Sequence, residues 1–234
     1  MNSHAINVNQ PTCHWVELPI IPYRQILALQ RKLVAARVSG QLTEDVVLVL
    51  EHPPVFTLGR RGGSENLMIS ETLLHKAGIE MVQCERGGNI TYHGPGQLVA
   101  YPIINLRAAN LSVRSYVGGL EEVMIRTAAH WGIQAHRDPE NRGVWLGLNK
   151  LGSIGICIRH GVCFHGLALN VQPNLEPFTW IKPCGLQDIE IVSMESVLSH
   201  KIPMAEVRKV FKSRFIETFE VQPVAATVEE LTAV

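Results

Sequence analysis

Apolar residues recur along this chain with two periods, one typical of helices and one typical of buried strands. Pro22 opens the first helical pattern, which we expect to end at Gly40 in the left-handed conformation. The shared apolar face of that helix holds Ile26, Leu29, Leu33 and Ala36. Two apolar runs follow, and the Pro-Pro pair at 53 and 54 predicts that they form two separate strands, the second ending at Gly59.

The alternation of helical and strand patterns continues through the middle of the chain. A short helix is predicted between Ser70, as its capping residue, and Gly78. The run QLVAYPIINL is strand-like, but Pro102 lacks an N–H, so we expect that strand at a sheet edge or at a bulge. Ser112 is the predicted cap of a longer helix, whose apolar residues recur at helical spacing.

The second half of the chain predicts strands and then helices. Three β-branched runs between 144 and 171, interrupted at Asn149 and at His160, predict consecutive antiparallel strands. Two helices follow, and one side of the last holds Met204, Val207, Phe211 and Phe215. This order of elements predicts an α/β fold of the α+β type, with a mixed, largely antiparallel sheet flanked by helices.

Length and composition indicate one globular domain. The 234 residues are 46% apolar and 18% charged, without a repeat or a low-complexity tract. We expect a single domain over residues 15–219, with terminal tails at 1–14 and 220–234. Basic and acidic residues number 21 each, so we expect neither nucleic acid nor a membrane as a partner.

The N-terminal stretch lacks a basic start followed by an apolar run, and no stretch approaches the ~18 apolar residues of a membrane span. The cysteines are odd in number and scattered, which suits free thiols in a reducing compartment: Cys13, Cys84, Cys157, Cys163 and Cys184. We therefore expect a cytoplasmic protein, and a monomer because no coiled-coil pattern is present.

The segment RGGNITYHGPGQ, residues 86–97, is the most unusual in composition. Its glycines allow positive φ and remove side chains, so a ligand can lie against main-chain N–H groups. It is not G-x-G-x-x-G and no G-K-[ST] follows, so nucleotide phosphate binding has little support. One interpretation is a structural loop in which the glycines form turns, and the other is a binding surface. The glycines packed around Thr91, Tyr92 and His93 favour the binding surface.

Cys184 is a candidate nucleophile, because a φ-fixing proline and a permissive glycine flank it in IKPCGL. A buried, inert cysteine in a turn is the alternative. With a reference pKa of about 8.5, only a few per cent of a thiol is ionised at pH 7 without a nearby base or cation. The candidate helpers are Lys150, His93 and His165, although a lysine in a turn can also serve solubility alone.

Two further patterns resemble known sites without matching them. The segment CIRHGVCFHG contains Cys157, His160, Cys163 and His165. In an extended strand Cys157 and His160 face opposite sides, and the spacings match no structural zinc pattern, so we predict no metal. In LGSIG the glycine directly precedes Ser153, whereas a nucleophile elbow needs glycine two positions before the serine.

The motifs RGGNITYHGPGQ, NKLGSIG, FHGLALN and PCG occur in this order, preceded by EHPPVFTLGRRG. Together they closely resemble the octanoyl-[acyl-carrier-protein]:protein N-octanoyltransferases of lipoate biosynthesis, from about Trp15 to Phe219. The resemblance implies a fold similar to the catalytic domains of biotin and lipoate protein ligases, and no cofactor. It implies octanoyl-acyl carrier protein as donor, and as acceptors the lipoyl domains of 2-oxoacid dehydrogenase subunits and the glycine cleavage carrier protein.

The resemblance also assigns roles to individual residues. Cys184 corresponds to the acyl-accepting nucleophile and Lys150 to the lysine that lowers its pKa. The substrate-binding loop falls on Arg86, Gly87, Gly88, Asn89, Ile90, Thr91, Tyr92 and His93. The remaining acyl site falls on Ser153, Ile154, Gly155, Gly166, Leu167 and Ala168. Cys163 stands where a hydroxyl residue is expected, and Arg60 and Arg61 are candidates for docking an acidic carrier protein.

Two other functions are compatible with the same fold or surface. An ATP-dependent lipoate or biotin ligase would use an adenylate and the free acid, and would not need Cys184. A non-catalytic module that binds acyl carrier protein or lipoyl domains would form tight complexes without turnover.

Overall fold

The computed structural model describes residues 10–182 and 189–233. In chain order the strands are β1 (Thr12–Ile20), β2 (Asp45–Glu51), β3 (Val55–Leu58), β4 (Glu80–Gln83), β5 (Ile90–His93), β6 (Gln97–Asn105), β7 (His136–Arg137), β8 (Val144–Leu146), β9 (Asn149–Arg159), β10 (Val162–Asn170) and β11 (Gln222–Ala225). The helices are α1 (Tyr23–Ser39), α2 (Glu71–Lys76), α3 (Val113–Ala129), α4 (Met194–Leu198), α5 (Met204–Phe219) and α6 (Val228–Thr232).

The strands form two sheets. The larger has eight strands in the order β11-β1-β2-β6-β10-β9-β8-β7, and the smaller has three in the order β4-β3-β5. Within the larger sheet β1 is parallel to β2 and β11, whereas the pairs from β2 to β7 are antiparallel. The predicted mixed, largely antiparallel sheet is therefore confirmed.

Helices cover both faces of the larger sheet. The apolar face of α1, including Ile26 and Leu33, packs over β2, β6 and β10. On the other face α3 and α5 pack against each other and against the sheet, with Phe211 and Phe215 fully buried. The helix α1 ends at Gly40 with φ 82°, and Ser112 caps α3, as the sequence predicts. Among the described residues no helix has the length and apolar character needed to cross a bilayer.

Pro102 lies in a central strand whose register is unshifted on both sides, so the prediction of a sheet edge or a bulge was wrong. Its strand, β6, is buried between β2 and β10. The pairing of β6 with β10 is interrupted between Cys163 and Leu167, and the register on either side places His165 opposite Pro102. His165 has φ 56°, and its N–H donates to Gln30 Oε1 at 2.8 Å. A side chain of α1 thus accepts a hydrogen bond from this strand where the ladder to β6 is broken.

The C-terminal stretch beyond residue 219, which we expected to be a tail, contains regular structure. Its strand β11 pairs with β1, and α6 packs against α1. Leu231 is buried at 4% exposure, and Lys32 donates to the Thr232 carbonyl. Elements of four and five residues are too short to show a periodic pattern in the sequence. They are stabilised by contacts with the N-terminal part of the chain.

The smaller sheet has its own apolar cluster, formed by β3, β5, α2 and the turn of 3₁₀ helix over Glu176–Trp180. In this sheet β3 is parallel to β4 and antiparallel to β5. The connection from β4 to β5 carries the glycine-rich segment that begins at Arg86. Its position brings that segment to the junction of the two sheets.

Candidate active site

A pocket lies between β5 of the smaller sheet and β9 and β10 of the larger sheet. Its lining residues are Tyr23, Arg86, Gly87, Gly88, Asn89, Ile90, Thr91, His93, Tyr101, Lys150, Ser153, Ile154, Gly155, His165, Gly166, Leu167, Ala168, Phe178 and Ile191. Residues of three motifs, RGGNITYHGPGQ, NKLGSIG and FHGLALN, therefore meet at one cavity. The first of these lining residues, Arg86, and the last, Ala168, are 82 positions apart in the sequence.

Every residue that we expected to bind substrate lines this pocket except Tyr92. The Tyr92 ring points into the apolar cluster of the smaller sheet, where its centroid lies 5.4 Å from that of Phe56 and 5.3 Å from that of Phe178. Lys150, expected to be catalytic, also lines the pocket. Cys184 lies outside the described residues.

The segment after β3 holds the glycine-rich loop in place. The N–H groups of Gly59, Arg60 and Arg61 donate to the carbonyls of Asn89, Arg86 and Gly88, at 3.1, 2.9 and 3.1 Å. A Cβ on Gly59 would lie 2.5 Å from the Gly88 oxygen, a separation that real side chains do not reach. Glycine is therefore required where these two backbone segments pack together.

Arg86 is buried and braces the same loop from inside. Its Nη2 donates to the carbonyl and the hydroxyl of Thr57 at 2.6 and 2.8 Å, and its Nη1 donates to the Gly87 carbonyl at 3.0 Å. Gly87 N–H donates to the Ile156 carbonyl at 2.8 Å. The N–H of Gly87 is therefore engaged in the protein and is not a donor for a ligand. The structural interpretation of the glycine segment therefore applies, and Gly87 and Gly88 also line the pocket.

Lys150 is held at the start of β9 by its backbone and by an aromatic ring. Its N–H donates to the Glu190 carbonyl at 2.8 Å, and its own carbonyl accepts from Val192 N–H at 3.0 Å. The side chain is 8% exposed, and Nζ lies 4.8 Å from the centroid of the Trp145 ring. A cation over an indole face is favourably placed. The ammonium group thus has a defined position in the pocket wall.

Residues on both sides of the Cys184 motif are attached near the pocket. On the N-terminal side Lys182 N–H donates to the Asn66 carbonyl at 2.9 Å, and Ile181 forms a β-bridge with Leu67. On the C-terminal side Ile191 lines the pocket and forms a parallel bridge with Lys150. The described residues that flank the motif therefore lie beside Asn66 on one side and beside Lys150 on the other.

A hydrogen-bonded series connects His93 to the segment that pairs with Lys150. His93 Nδ1 lies 2.6 Å from Gln97 Oε1, Gln97 Nε2 donates to Asn170 Oδ1 at 2.8 Å, and Asn170 Nδ2 donates to the Val192 carbonyl at 3.1 Å. Burial, with His52 as a secondary cause, lowers the pKa of His93 to about 3. The ring is therefore neutral at pH 7 and acts as a hydrogen-bonding group, not as a cation.

His165 also lines the pocket, and burial lowers its pKa to about 4. Tyr23, Tyr101, Phe178 and Ile191 line it as well, and sequence reasoning did not identify them. Tyr23 is the first residue of α1, and Tyr101 lies among apolar residues in the buried strand β6. Each of these positions fits an ordinary core residue, so no local signal marks them as part of a site.

Three of the other cysteines, Cys13, Cys157 and Cys163, do not resemble nucleophiles. Burial raises the pKa of the Cys13 and Cys163 thiols to about 12, and burial together with Glu85 raises that of Cys157. Cys163, the departure from the expected hydroxyl residue, is fully buried in the cluster beneath α3. Within residues 10–182 and 189–233, no three His, Cys, Asp or Glu side chains are grouped to hold a metal ion.

Comparison with known proteins identifies relatives over most of the chain. Residues 22–216 match the family model described as the lipoyl protein ligase A/B catalytic domain. A curated octanoyltransferase of Desulfotalea psychrophila is 51% identical, with 83% of this chain and 88% of the relative covered. An octanoyltransferase of Caldicellulosiruptor saccharolyticus is 44% identical, with 81% of each chain covered.

Solved structures with little sequence identity share the fold. A lipoate-protein ligase A crystallised with ATP superposes with a TM-score of 0.76 at 16% identity, covering 96% of this chain and 93% of the other. The biotin protein ligase of Aquifex aeolicus, in complex with biotin and ATP, gives a TM-score of 0.54 at 11% identity, covering 89% and 70%. The predicted similarity to the catalytic domains of lipoate and biotin ligases is confirmed at the level of the fold.

Proposed function

The chain belongs to the lipoyl protein ligase A/B catalytic-domain family and is a transferase related to octanoyltransferases, and we propose that it moves an octanoyl group from acyl carrier protein to lipoyl domains. The observation that supports this most is the meeting of Lys150 with the expected acyl-site residues at one pocket. Cys184 is the proposed nucleophile, and the acceptor is the target lysine amine of a lipoyl domain.

In the first half-reaction the Cys184 thiolate attacks the carbonyl carbon of the octanoyl thioester. The bond from that carbon to the carrier sulfur breaks, and the carrier leaves as a free thiol after taking a proton. The ammonium of Lys150 favours the thiolate form of Cys184, and it can also deliver the proton. The bridge between Lys150 and Ile191 supports this pairing, since it holds Lys150 against the chain that follows the Cys184 motif.

In the second half-reaction the acceptor amine attacks the acyl-enzyme thioester. An amide bond forms, the carbon–sulfur bond breaks, and the Cys184 thiolate is restored with Lys150 receiving the proton that the amine loses. Exchange of one thioester for another is nearly isoenergetic, whereas amide formation is downhill. The reaction therefore needs no ATP and no cofactor, in agreement with the absence of a nucleotide motif from the sequence.

The pocket wall suits a neutral aliphatic chain. Ile154, Leu167 and Ala168 lie on adjacent strands, since Ile154 pairs with Leu167 and Ser153 with Ala168. Each methylene group that leaves water for such a wall contributes about 0.8 kcal/mol. Burial of the acyl chain therefore supplies much of the binding energy and places the thioester carbonyl at the Lys150 end.

Intact-mass measurement after mixing with octanoyl-acyl carrier protein tests this function. The wild-type protein should gain one octanoyl group, and the Cys184→Ala variant should gain none. Cys157→Ala is the matched control, since it removes another thiol and should keep the adduct. An octanoyl adduct on Cys184→Ala, or its loss from Cys157→Ala, would contradict the assignment.

The rival functions make different predictions in the same assay. An ATP-dependent ligase would transfer free octanoic or lipoic acid only when ATP is supplied, and Cys184→Ala would remain active. A binding module would form a stable complex with the carrier protein and never release modified lipoyl domain. Neither rival predicts a covalent octanoyl adduct.

A further inference from the structure

Two of the motifs that meet at the pocket end in buried amide side chains outside it. Gln97 is the last residue of RGGNITYHGPGQ, and Asn170 is the last residue of FHGLALN. The two residues pair in register across β6 and β10, and both are buried. Neither lines the pocket, so contact with an acyl group does not explain them. Because a buried amide is unfavourable unless it is hydrogen-bonded, their partners indicate their role.

The hydrogen bonds of these two amides have a fixed direction. The Val192 carbonyl can only accept, so Asn170 presents Nδ2 to it, at 3.1 Å, and turns Oδ1 towards Gln97. That oxygen also only accepts, so Gln97 presents Nε2 to it, at 2.8 Å. Gln97 Oε1 then accepts from His93 Nδ1 at 2.6 Å. A flip of either amide would place like groups against each other, so Gln97 holds Asn170 in the orientation that donates to Val192.

Val192 belongs to the chain that follows the Cys184 motif. Its N–H donates to the Lys150 carbonyl at 3.0 Å, and Lys150 N–H donates to the Glu190 carbonyl at 2.8 Å. The carbonyl of Val192 accepts from Asn170. Val192 is therefore bonded to β9 through its N–H and to β10 through its carbonyl. A side chain of the strand that also forms the pocket wall thus holds the segment that pairs with Lys150.

We propose that Asn170 is a positioning residue for acyl transfer, which holds residues 190–192 so that the preceding Cys184 motif meets the ammonium of Lys150. This inference rests on the proposed function, since it assumes that Cys184 and Lys150 act as a pair. The support that a cation gives to a thiolate falls with distance. A displacement of about 1 Å between reacting groups can slow a reaction about 100-fold. Loss of Asn170 should therefore slow the chemical step and leave binding of the donor unchanged.

Single-turnover acylation by octanoyl-acyl carrier protein tests this role. Asn170→Leu keeps a similar side-chain volume and removes both hydrogen bonds. It should lower the rate at saturating donor about 10- to 100-fold. The donor concentration that gives half of that rate should change less than about threefold, since no group that binds the donor is altered. An unchanged saturating rate, or an effect on the half-saturating concentration alone, would overturn the proposal.

The same substitution in a Lys150→Ala background separates positioning from general structural damage. Once the ammonium is absent, its misplacement has no further cost. Asn170→Leu should therefore slow acylation by Lys150→Ala less than about threefold. A structural role without positioning predicts the same loss in both backgrounds, and that additive result would also overturn the proposal.

Asn170→Thr provides a second test in case Asn170→Leu does not fold. Threonine suits a β-strand, and its hydroxyl is one bond too short to reach the partners of the amide. It should slow acylation by the wild-type protein and not by Lys150→Ala. Asn105→Thr is the matched control, since Asn105 lies at the other end of β6 and accepts from the N–H groups of Arg107 and Ala108.

The control variant should acylate as the wild-type protein does, although it also loses hydrogen bonds to the backbone. Equal acylation rates in Asn170→Thr and Asn105→Thr would count against positioning by Asn170. The octanoyl adduct on the wild-type protein reports the proposed function separately. A wild-type adduct with no effect of Asn170 would therefore remove this inference alone, whereas the absence of a wild-type adduct would remove the proposed function.

Discussion

Lys150 and Ile191 form a parallel β-bridge that joins the start of β9 to the chain emerging from the Cys184 motif. Its two hydrogen bonds are made by the backbone of Lys150, and the Lys150 side chain lines the pocket. The bridge positions the backbone of Lys150, and Nζ lies 4.8 Å from the centroid of the Trp145 ring. A cation that must favour a thiolate benefits from such restraint, because electrostatic stabilisation depends on distance.

Lys150→Ala should slow formation of the acyl-enzyme by about 10²- to 10⁴-fold, the range for loss of a positioned proton-transfer group. Binding of the carrier protein should change little, since the backbone of Lys150 makes the bridge. Single-turnover acylation followed by mass spectrometry measures the rate. Lys201→Ala, at an exposed position, is the control and should acylate normally. A Lys150→Ala rate within tenfold of wild type would remove Lys150 from the chemistry.

Gly143→Ala should displace the Lys150 side chain while leaving its amino group chemically unchanged. A Cβ at Gly143 would lie 2.4 Å from the Gly152 oxygen and 2.9 Å from Lys150 Cε, on a backbone with φ 123°. We expect a loss of about 3 kcal/mol in the free energy of unfolding and slower acylation.

Gly147→Ala is the matched control, since Gly147 also has positive φ, at 58°, but has nothing within 4 Å of an added Cβ. It should cost about 1–2 kcal/mol of backbone strain and leave the acylation rate of the folded protein unchanged. Denaturant titration and single-turnover kinetics separate the two effects. Equal acylation rates in the two variants would show that the contact with Lys150 Cε does not matter.

Acidification should destabilise the protein through its buried histidines. Burial lowers the pKa of His93 to about 3 and those of His52 and His165 to about 4, from 6.5 in the unfolded chain. The unfolded state therefore binds more protons below pH 6.5, so stability is full above that pH and is lost as the pH falls towards 4. Each histidine should contribute roughly 1–2 kcal/mol of loss by pH 5.

Urea titrations at pH 7 and pH 5 measure that loss. His93→Gln should reduce the difference between the two pH values by the contribution of one histidine. His75→Gln, on the exposed surface of α2, should leave the difference as in wild type. The same pH dependence in all three proteins would show that His93 is not protonated on unfolding.

Arg60 and Arg61 are exposed and directly attached to the glycine-rich loop through their backbone N–H groups. Reversal of both charges, Arg60→Glu with Arg61→Glu, should raise KM for the acidic carrier protein about tenfold at low salt and weaken its salt dependence. Two exposed residues elsewhere, Arg114 on α3 and Lys209 on α5, supply a control with the same change in net charge when both are changed to Glu. An unchanged KM at low ionic strength would place the docking surface elsewhere.

The C-terminal helix should contribute to stability. Leu231→Ala removes a buried side chain that packs against α1, and we expect a loss of about 2 kcal/mol. Val224→Ala, at 41% exposure on β11, should cost less than about 0.5 kcal/mol. Thermal or urea unfolding gives both values. Equal losses would mean that the packing of α6 against α1 adds nothing to stability.

The sequence predicted those elements whose signals are local. Ser70 and Ser112 accept hydrogen bonds from the third residue of their helices, and the break at Pro53-Pro54 separates β2 from β3, as expected. Short-range steric and hydrogen-bonding preferences decide such features, so neighbouring residues suffice to predict them. Residues of the candidate site could be predicted only where they belong to a sequence motif, because the residue types in a motif reflect the chemistry of a site directly.

What the sequence did not predict depends on long-range packing. The position of Pro102 in the sheet follows from the placement of β2 and β10 on either side, which no local pattern encodes. Tyr23 reaches the pocket only because α1 crosses the face of β6 and β10. The engagement of Gly87 N–H by Ile156 likewise depends on how the two sheets meet. Tertiary contacts override local preference in each case.

The break in the ladder at Pro102 has a chemical consequence for the cavity. Proline has no N–H to donate to the opposite strand, and at that position the His165 N–H donates to Gln30 of α1 while His165 lines the cavity. A proline ring that does not line the cavity thus lies opposite a residue that does. Alanine at position 102 would restore an amide hydrogen to β6 opposite His165, and the conformation of a pocket residue would then respond to a position outside the pocket.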